Sequence, residues 1–302
     1  MTHGGARRGA TARVWLQAIR PATLPAAASG VAVGLGASLG ARAPFRIDAA
    51  VLCLAVAELL QIAANLANDL SDYRRGADRP DRVGPVRVAA AGLVTVRQLE
   101  IAIVLTLGAA GLAGLGLAVI GGSGVLAAGL LAILALLAYT GGPWPYGYHA
   151  LGEPFVFVFF GLVAVIGTAF LQAGRIEAGF VLASLPVGAL VTAVLVVNNL
   201  RDIDADRTAG KRTLAVALGP VATRAEYGAL LLLAWLVPLL GAAAGSGPAL
   251  LLPLATTPMA VRLVRAVHAR GDPRRLNLVL RDTARLALAF SLLYGVGLAL
   301  SG

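Results

Sequence analysis

Nine stretches of about twenty mainly apolar residues recur along this 302-residue chain, at roughly 22–41, 47–70, 97–121, 123–140, 151–173, 177–200, 223–244, 248–267 and 281–301. As a helix, at about 1.5 Å per residue, each is long enough to cross the roughly 30 Å hydrocarbon core of a bilayer. Lipid offers backbone amides no hydrogen-bond partner, so a spanning segment must satisfy its own, and segments of this length do so as α-helices. The expected fold is therefore an all-α membrane protein with about nine transmembrane helices. A composition 58% hydrophobic and only 13% charged is far from that of a soluble domain.

A net charge of +10 would suit a nucleic-acid binder, but its distribution argues against one. If the N-terminus is cytoplasmic and nine spans alternate, the outer loops hold only Arg42, Arg46 and Arg175, and the other 22 of 25 basic residues face the cytoplasm. The chain is expected to be a multi-pass protein of the cell (inner or plasma) membrane, in contact with lipid, with no nucleic-acid partner and no obligate protein partner inferred. Residues 1–12 read as a disordered cytoplasmic tail and 13–302 as one transmembrane domain. Cys53 stands alone in an apolar run, which excludes a disulfide framework. The histidines His3, His149 and His268 lack metal-ligand spacing, and no Ser/His/Asp arrangement is present, which argues against zinc and hydrolytic chemistry. The basic stretch from Arg262 to Arg285 suits an anchor on anionic headgroups.

Two apolar runs end in clusters of asparagine and aspartate. The first is Asn65-Leu-Ala-Asn68-Asp69-Leu-Ser-Asp72 and the second Asn198-Asn199-Leu-Arg201-Asp202-Ile-Asp204-Ala-Asp206. On a helix, Asn65, Asn68, Asp69 and Asp72 fall at i, i+3, i+4 and i+7, and Asn198, Asp202 and Asp206 at steps of four, so each set lines one face. A carboxylate at mid-bilayer costs roughly 2.5–3.5 kcal/mol on the insertion scale, and less toward the interface. A hard divalent cation would offset that cost, and a phosphate-bearing substrate would complete a Mg²⁺ shell. Asp69, Asp72, Asp202 and Asp206 are accordingly the expected metal ligands and catalytic residues, whereas Asp204 lies off their face.

Each cluster runs on into a basic loop, expected at 73–96 and 201–222. Gly76, Pro80, Gly84 and Pro85 interrupt any helix in the first. The second holds Lys211, the only lysine, in Gly210-Lys-Arg-Thr213, which can offer ammonium, guanidinium and hydroxyl groups to phosphate oxygens without being a Walker A loop. Span, acidic cluster and basic loop together look like a weak internal repeat that would bring both acidic faces around one cavity. The expected substrate-binding residues are Asn65, Asn68, Arg74, Asp78, Arg82, Arg87, Tyr139, Asn198, Arg201, Lys211 and Arg212. Tyr139 closes a span, where its ring can face an electron-poor intermediate. Trp144 and Tyr148 fit an aromatic belt at the membrane interface equally well.

These residues resemble the UbiA-type family of intramembrane prenyltransferases over nearly the whole chain. Asn68-Asp69-Leu-Ser-Asp72 matches the family's Asn-Asp-x-x-Asp, and Asp202 through Asp206 to Gly210 matches its second acidic pattern. Many members carry a third aspartate four residues after the first pattern, where this chain has Gly76 and then Asp78. That shift is similar to the branch acting on dihydroxynaphthoate. So are Arg82-Val-Gly84-Pro85-Val-Arg87, Trp15 with Arg20-Pro21-x-Thr23-Leu24, Tyr139-Thr-Gly-Gly-Pro143 with Leu151-Gly-Glu153, Asn198-Asn-x-Arg201-Asp202, Gly210-Lys211-x-Thr213-Leu214 and Leu276-Asn277.

The resemblance implies a UbiA-like bundle with a central cavity open to the cytoplasmic side. It also implies Mg²⁺-dependent transfer of a polyprenyl group from polyprenyl diphosphate to 1,4-dihydroxy-2-naphthoate, with loss of carbon dioxide and diphosphate, as a step of menaquinone synthesis. The alternative acceptors are 4-hydroxybenzoate and homogentisate. A membrane transporter using the acidic clusters as an ion site fits less well, because transporters hold such sites near the bilayer midplane.

Overall fold

The structure, a computed structural model, describes residues 11–76, 83–269 and 271–302. Its elements are helices: α1 (Ala12–Ile19), α2 (Leu24–Gly40), α3 (Ile47–Arg74), α4 (Val96–Gly121), α5 (Ser123–Thr140), α6 (Gly152–Val156), α7 (Ala164–Ala173), α8 (Ala178–Thr208), α9 (Leu214–Ala243), α10 (Thr257–His268) and α11 (Leu276–Leu300). A π-helical segment, Phe157–Val163, joins α6 to α7, and a 3₁₀ segment, Pro248–Thr256, leads into α10. Joined across these short breaks, nine helices among the described residues are long and apolar enough to cross a membrane.

Local sequence sets the ends of these helices. The Thr95 hydroxyl accepts from the Gln98 amide at 3.2 Å while the Gln98 side chain accepts from the Thr95 amide at 2.9 Å, a reciprocal cap that starts α4. Thr213 caps α9 through the Val216 amide. Between α2 and α3, the backbone of Arg46 both donates to and accepts from the buried amide of Gln172, which ties that turn to the end of α7.

Helix α8 occupies the centre, packed by α2, α9, α11 and the π segment. Its upper turns are apolar on every side, with Val187, Leu190, Val194 and Val197 all buried, as expected of a helix enclosed by others. Lipid is itself apolar, so van der Waals fit rather than water exclusion holds such helices together, and small residues set how close they come. A Cβ on Gly36 of α2 would collide with the backbone of Gly295 in α11. A Cβ on Gly161 in the π segment would stand 2.6 Å from the Cα of Gly188, so α8 and that segment meet backbone to backbone.

Three boundaries differ from the sequence reading. The segment 201–222 is not one loop: α8 runs on to Thr208, only 209–213 is irregular, and Leu214 opens α9. The first span is preceded by a separate amphipathic helix, α1, with Arg20 in a left-handed conformation between the two. Ala12, assigned to the tail, already belongs to α1, and residues 1–10 lie outside the described residues.

Candidate active site

The last two turns of α3 carry the first acidic cluster. Asp69 is 1% exposed, and its two carboxylate oxygens accept from the Val88 and Ala89 amides at 3.1 and 3.2 Å, which folds the turn at 88–92 back onto the helix. Asp72, one turn on, accepts from Arg87 at 2.6 Å and from the Tyr148 hydroxyl at 3.2 Å. The amide of Asn65 donates to the Ile19 carbonyl and to the Thr23 hydroxyl, and Asn68 accepts from the Thr140 hydroxyl. This face of α3 is thereby tied to α1, to the start of α2 and to the end of α5.

The polar end of α8 carries the second cluster. Arg201 grips Asp202 in a bidentate pair at 2.9 and 2.6 Å, with both side chains buried, and donates to Asn198 at 2.8 Å and to Asn277 of α11 at 3.0 Å. Asn277 in turn donates to the Val83 carbonyl, joining the loop after α3 to the end of α8. Asp206 lies 3.7 Å from the Lys211 ammonium. Asp204 points outward, exposed and paired with Arg207, as its position off the acidic face predicts.

Tyr148 joins the two clusters. Its hydroxyl bonds Asp72, its carbonyl accepts from the Arg212 amide at 3.1 Å, and the Arg75 guanidinium and the Lys211 ammonium each lie 5.4 Å from its ring centroid. Burial, and then the Asp72 charge, push the Tyr148 phenol up, so it stays neutral and able to donate to Asp72. An aromatic column continues from this loop into the bundle: Tyr139 meets Tyr146 edge-on at 5.4 Å, Tyr146 stacks on Phe155 at 4.0 Å, and Phe155 faces Phe159.

Of the residues expected to bind substrate, Asn65, Asn68, Arg87, Tyr139, Asn198, Arg201 and Lys211 gather at this end of the bundle. The Arg212 side chain is exposed, and only its backbone joins the Tyr148 loop. Arg74 lies apart, in an exposed ion pair with Glu100 of α4. Asp78 and Arg82 lie outside the described residues. Sequence reasoning gave no site role to Glu153, Asn199 or Asn277 and did not decide between an interface role and a site role for Tyr148. Glu153 had a signal to offer, since a carboxylate opening an apolar run is costly unless it is used. It is 4% exposed, accepts from Asn199 at 2.8 Å through one oxygen, and among the described residues its other oxygen has no partner.

Among the described residues, no three His, Cys, Asp or Glu side chains converge as a ready-made cation cage. The donor set nevertheless suits a hard cation: Asp69, Asp72, Asp202 and Asp206 present carboxylate oxygens at two membrane-helix ends. Three of them hold an arginine or lysine, which shows that positive charge is already required there.

Residues 28–296 match the family model described as UbiA prenyltransferase family. The chain is 42% identical over 285 residues to a 1,4-dihydroxy-2-naphthoate octaprenyltransferase of Mycobacterium tuberculosis, covering 94% of this chain and 96% of that protein. It is 39% identical over 297 residues to the Escherichia coli protein of the same name, covering 96% of each. In fold it is similar to a UbiA homologue from Archaeoglobus fulgidus solved with GPP and Mg²⁺, at a TM-score of 0.65 and 16% identity, covering 95% of this chain and 99% of that one. Two Asn/Asp-bearing helix ends in a bundle of membrane-length helices, and likeness along almost the entire chain, lead to one conclusion: this protein belongs to the UbiA prenyltransferase family.

Proposed function

We propose that this protein transfers a polyprenyl group from polyprenyl diphosphate to 1,4-dihydroxy-2-naphthoate, releasing carbon dioxide and diphosphate and giving the quinol form of demethylmenaquinone. The observation that carries the reading is the meeting of two acidic helix ends, α3 and α8, at Tyr148, each with its own buried cation. Full-length likeness to relatives named for this acceptor supports the choice of substrate.

In this reading Arg87, Arg201 and Lys211 bind diphosphate oxygens through charge-assisted hydrogen bonds, and Arg212, exposed at the mouth, meets the incoming donor. When bound, Mg²⁺ supplies Lewis-acid neutralisation of the charge that grows on the departing diphosphate, with Asp69, Asp72, Asp202 and Asp206 as its ligands. Tyr148 holds Asp72 in place. The column of Tyr139, Tyr146 and Phe155 gives the electron-poor allylic carbon an aromatic wall, and the apolar bundle excludes water from it. Residues 13–302 act as one catalytic unit in the cell membrane, with the N-terminus and both acidic ends on the cytoplasmic side. The cavity opens there, and the distribution of basic residues supports that orientation.

Asp202→Asn keeps side-chain volume but removes one unit of charge, so diphosphate release should fall by roughly 10²–10³-fold, the cost typical of losing preorganised electrostatic stabilisation. Asp48→Asn, in an exposed pair with Arg46 at the start of α3, is the control. Turnover of the Asp202 variant within a few-fold of the parent, with Mg²⁺ dependence intact, refutes the assignment.

A further inference from the structure

Most polar groups near the Tyr148 junction are matched, but one pair is not. Glu153 and Asn199 are 4% and 1% exposed and bond each other at 2.8 Å, yet among the described residues Glu153 Oε2 and Asn199 Oδ1 have no partner. A buried carboxylate oxygen and a buried amide oxygen left open in this way each carry a desolvation cost, which a bound donor group would recover. Both open atoms are acceptors, so the missing ligand is a hydrogen-bond donor.

The surroundings give that ligand its shape. Gly152, just before Glu153, lies against the Tyr139 ring: a Cβ there would stand 3.3 Å from Tyr139 Cε2. Two residues further on, Phe155 stacks on Tyr146. Lys211 and Tyr139 are close enough to interact electrostatically with Glu153, and Asp72 and Asp206 reach Tyr139 in the same way. Glu226 of α9 is also close enough to interact electrostatically with Glu153. The Glu153 backbone is therefore held next to the Tyr139 ring, and Tyr139 is within electrostatic reach of Glu153 and of both acidic helix ends.

Resting on the function proposed above, we infer that Glu153 and Asn199 form the acceptor's hydroxyl site, and that Glu153 is a catalytic residue that takes and returns the proton of a ring hydroxyl. As the prenyl C–O bond breaks, its electron pair leaves with diphosphate. The ring carbon bearing the carboxylate forms the new C–C bond while the hydroxyl oxygen becomes a ring carbonyl and its proton moves to Glu153 Oε2. The bond to the carboxylate then breaks, carbon dioxide leaves, its electron pair restores the aromatic ring, and the oxygen regains its proton from Glu153. No net proton is gained or lost at the side chain.

The test uses full-length protein in detergent with a labelled prenyl diphosphate, Mg²⁺ and dihydroxynaphthoate. Glu153→Gln keeps shape and hydrogen bonding, and should lower acceptor-dependent turnover by about 10²-fold or more, the lower range for loss of a general base. Affinity for a non-hydrolysable prenyl diphosphate analogue should stay within about 3-fold, reporting an intact fold and donor site. Glu153→Ala should regain at least about 10-fold in turnover when formate is added, because a small carboxylate can stand in for the missing side chain, whereas Glu153→Gln should not. Glu153→Gln turnover within a few-fold of the parent, or slow variants with no formate rescue, overturns the inference. A parent protein that ignores dihydroxynaphthoate and prenylates another acceptor would instead refute the proposed substrate.

Discussion

The buried pair of Arg201 and Asp202 makes the two partners unequal in a way that can be measured. Arg201→Met removes the guanidinium and leaves Asp202, 7% exposed as a side chain, with a carboxylate stripped of its bidentate partner. Asn198 and Asn277 lose their donor in the same step. Breaking a buried pair by deleting one ion commonly costs about 3–5 kcal/mol. Asp202→Asn is milder, because Arg201 keeps Asn198 and Asn277 as acceptors and loses only charge-assisted bonds, roughly 1.5–3 kcal/mol. With both changes made, neither member of this pair is left without the other, so the double variant should be more stable than the sum of the single costs implies, by a coupling of about 0.5–3 kcal/mol. The assay is unfolding of purified protein in detergent, followed by tryptophan fluorescence, across the four members of the cycle. Costs that add within about 0.5 kcal/mol, or an Arg201 variant no less stable than the Asp202 variant, would show that the pair does not carry this energy.

Three further outcomes follow from other parts of the molecule. With Cys53 replaced by alanine, a cysteine at Ala209 should resist, and one at Gly122 accept, an impermeant thiol reagent added to intact cells; the reverse pattern overturns the orientation. Because Tyr148 holds its proton more tightly folded than unfolded, its contribution to stability is full below about pH 10 and declines as pH rises toward the folded value. The thermal midpoints of parent and Tyr148→Phe should therefore draw together above about pH 10, and a gap that widens there would refute the Tyr148 assignment. Gly36→Ala should destabilise the bundle by about 1–3 kcal/mol by forcing α2 away from Gly295, whereas Gly108→Ala, which has open space around it, should cost nothing; equal effects would argue against backbone contact there.

The spans were legible because lipid imposes one rule on the whole chain, and apolar length alone reports it. Both acidic faces were legible because side-chain spacing on a helix is local. The end of α8 was not. Its run of arginines and aspartates reads as a loop, yet the pairing of Arg201 with Asp202 and of Asp206 with Lys211 lets the helix continue polar to Thr208. The bond from Asn277 to the Val83 carbonyl spans 194 residues, and nothing in either segment announces the other. Tyr148 has the composition of an interface aromatic, and only the return of the loop at 141–151 beneath α3 makes it a partner of Asp72. Arg74 and Arg75 differ for a related reason: adjacent on the chain, they leave the end of α3 in different directions, one to Glu100 and one to the Thr140 and Gly142 carbonyls.

The central claim, decarboxylative prenylation of dihydroxynaphthoate, is tested most directly by counting carbon. Carboxyl-labelled 1,4-dihydroxy-2-naphthoate, incubated with purified protein, Mg²⁺ and a polyprenyl diphosphate, should release one labelled carbon dioxide for each prenylated product. That product should have the mass of the acceptor less carbon dioxide plus the prenyl group, and 4-hydroxybenzoate should react far more slowly. A prenylated product that retains the label, or faster turnover of 4-hydroxybenzoate, would contradict the account.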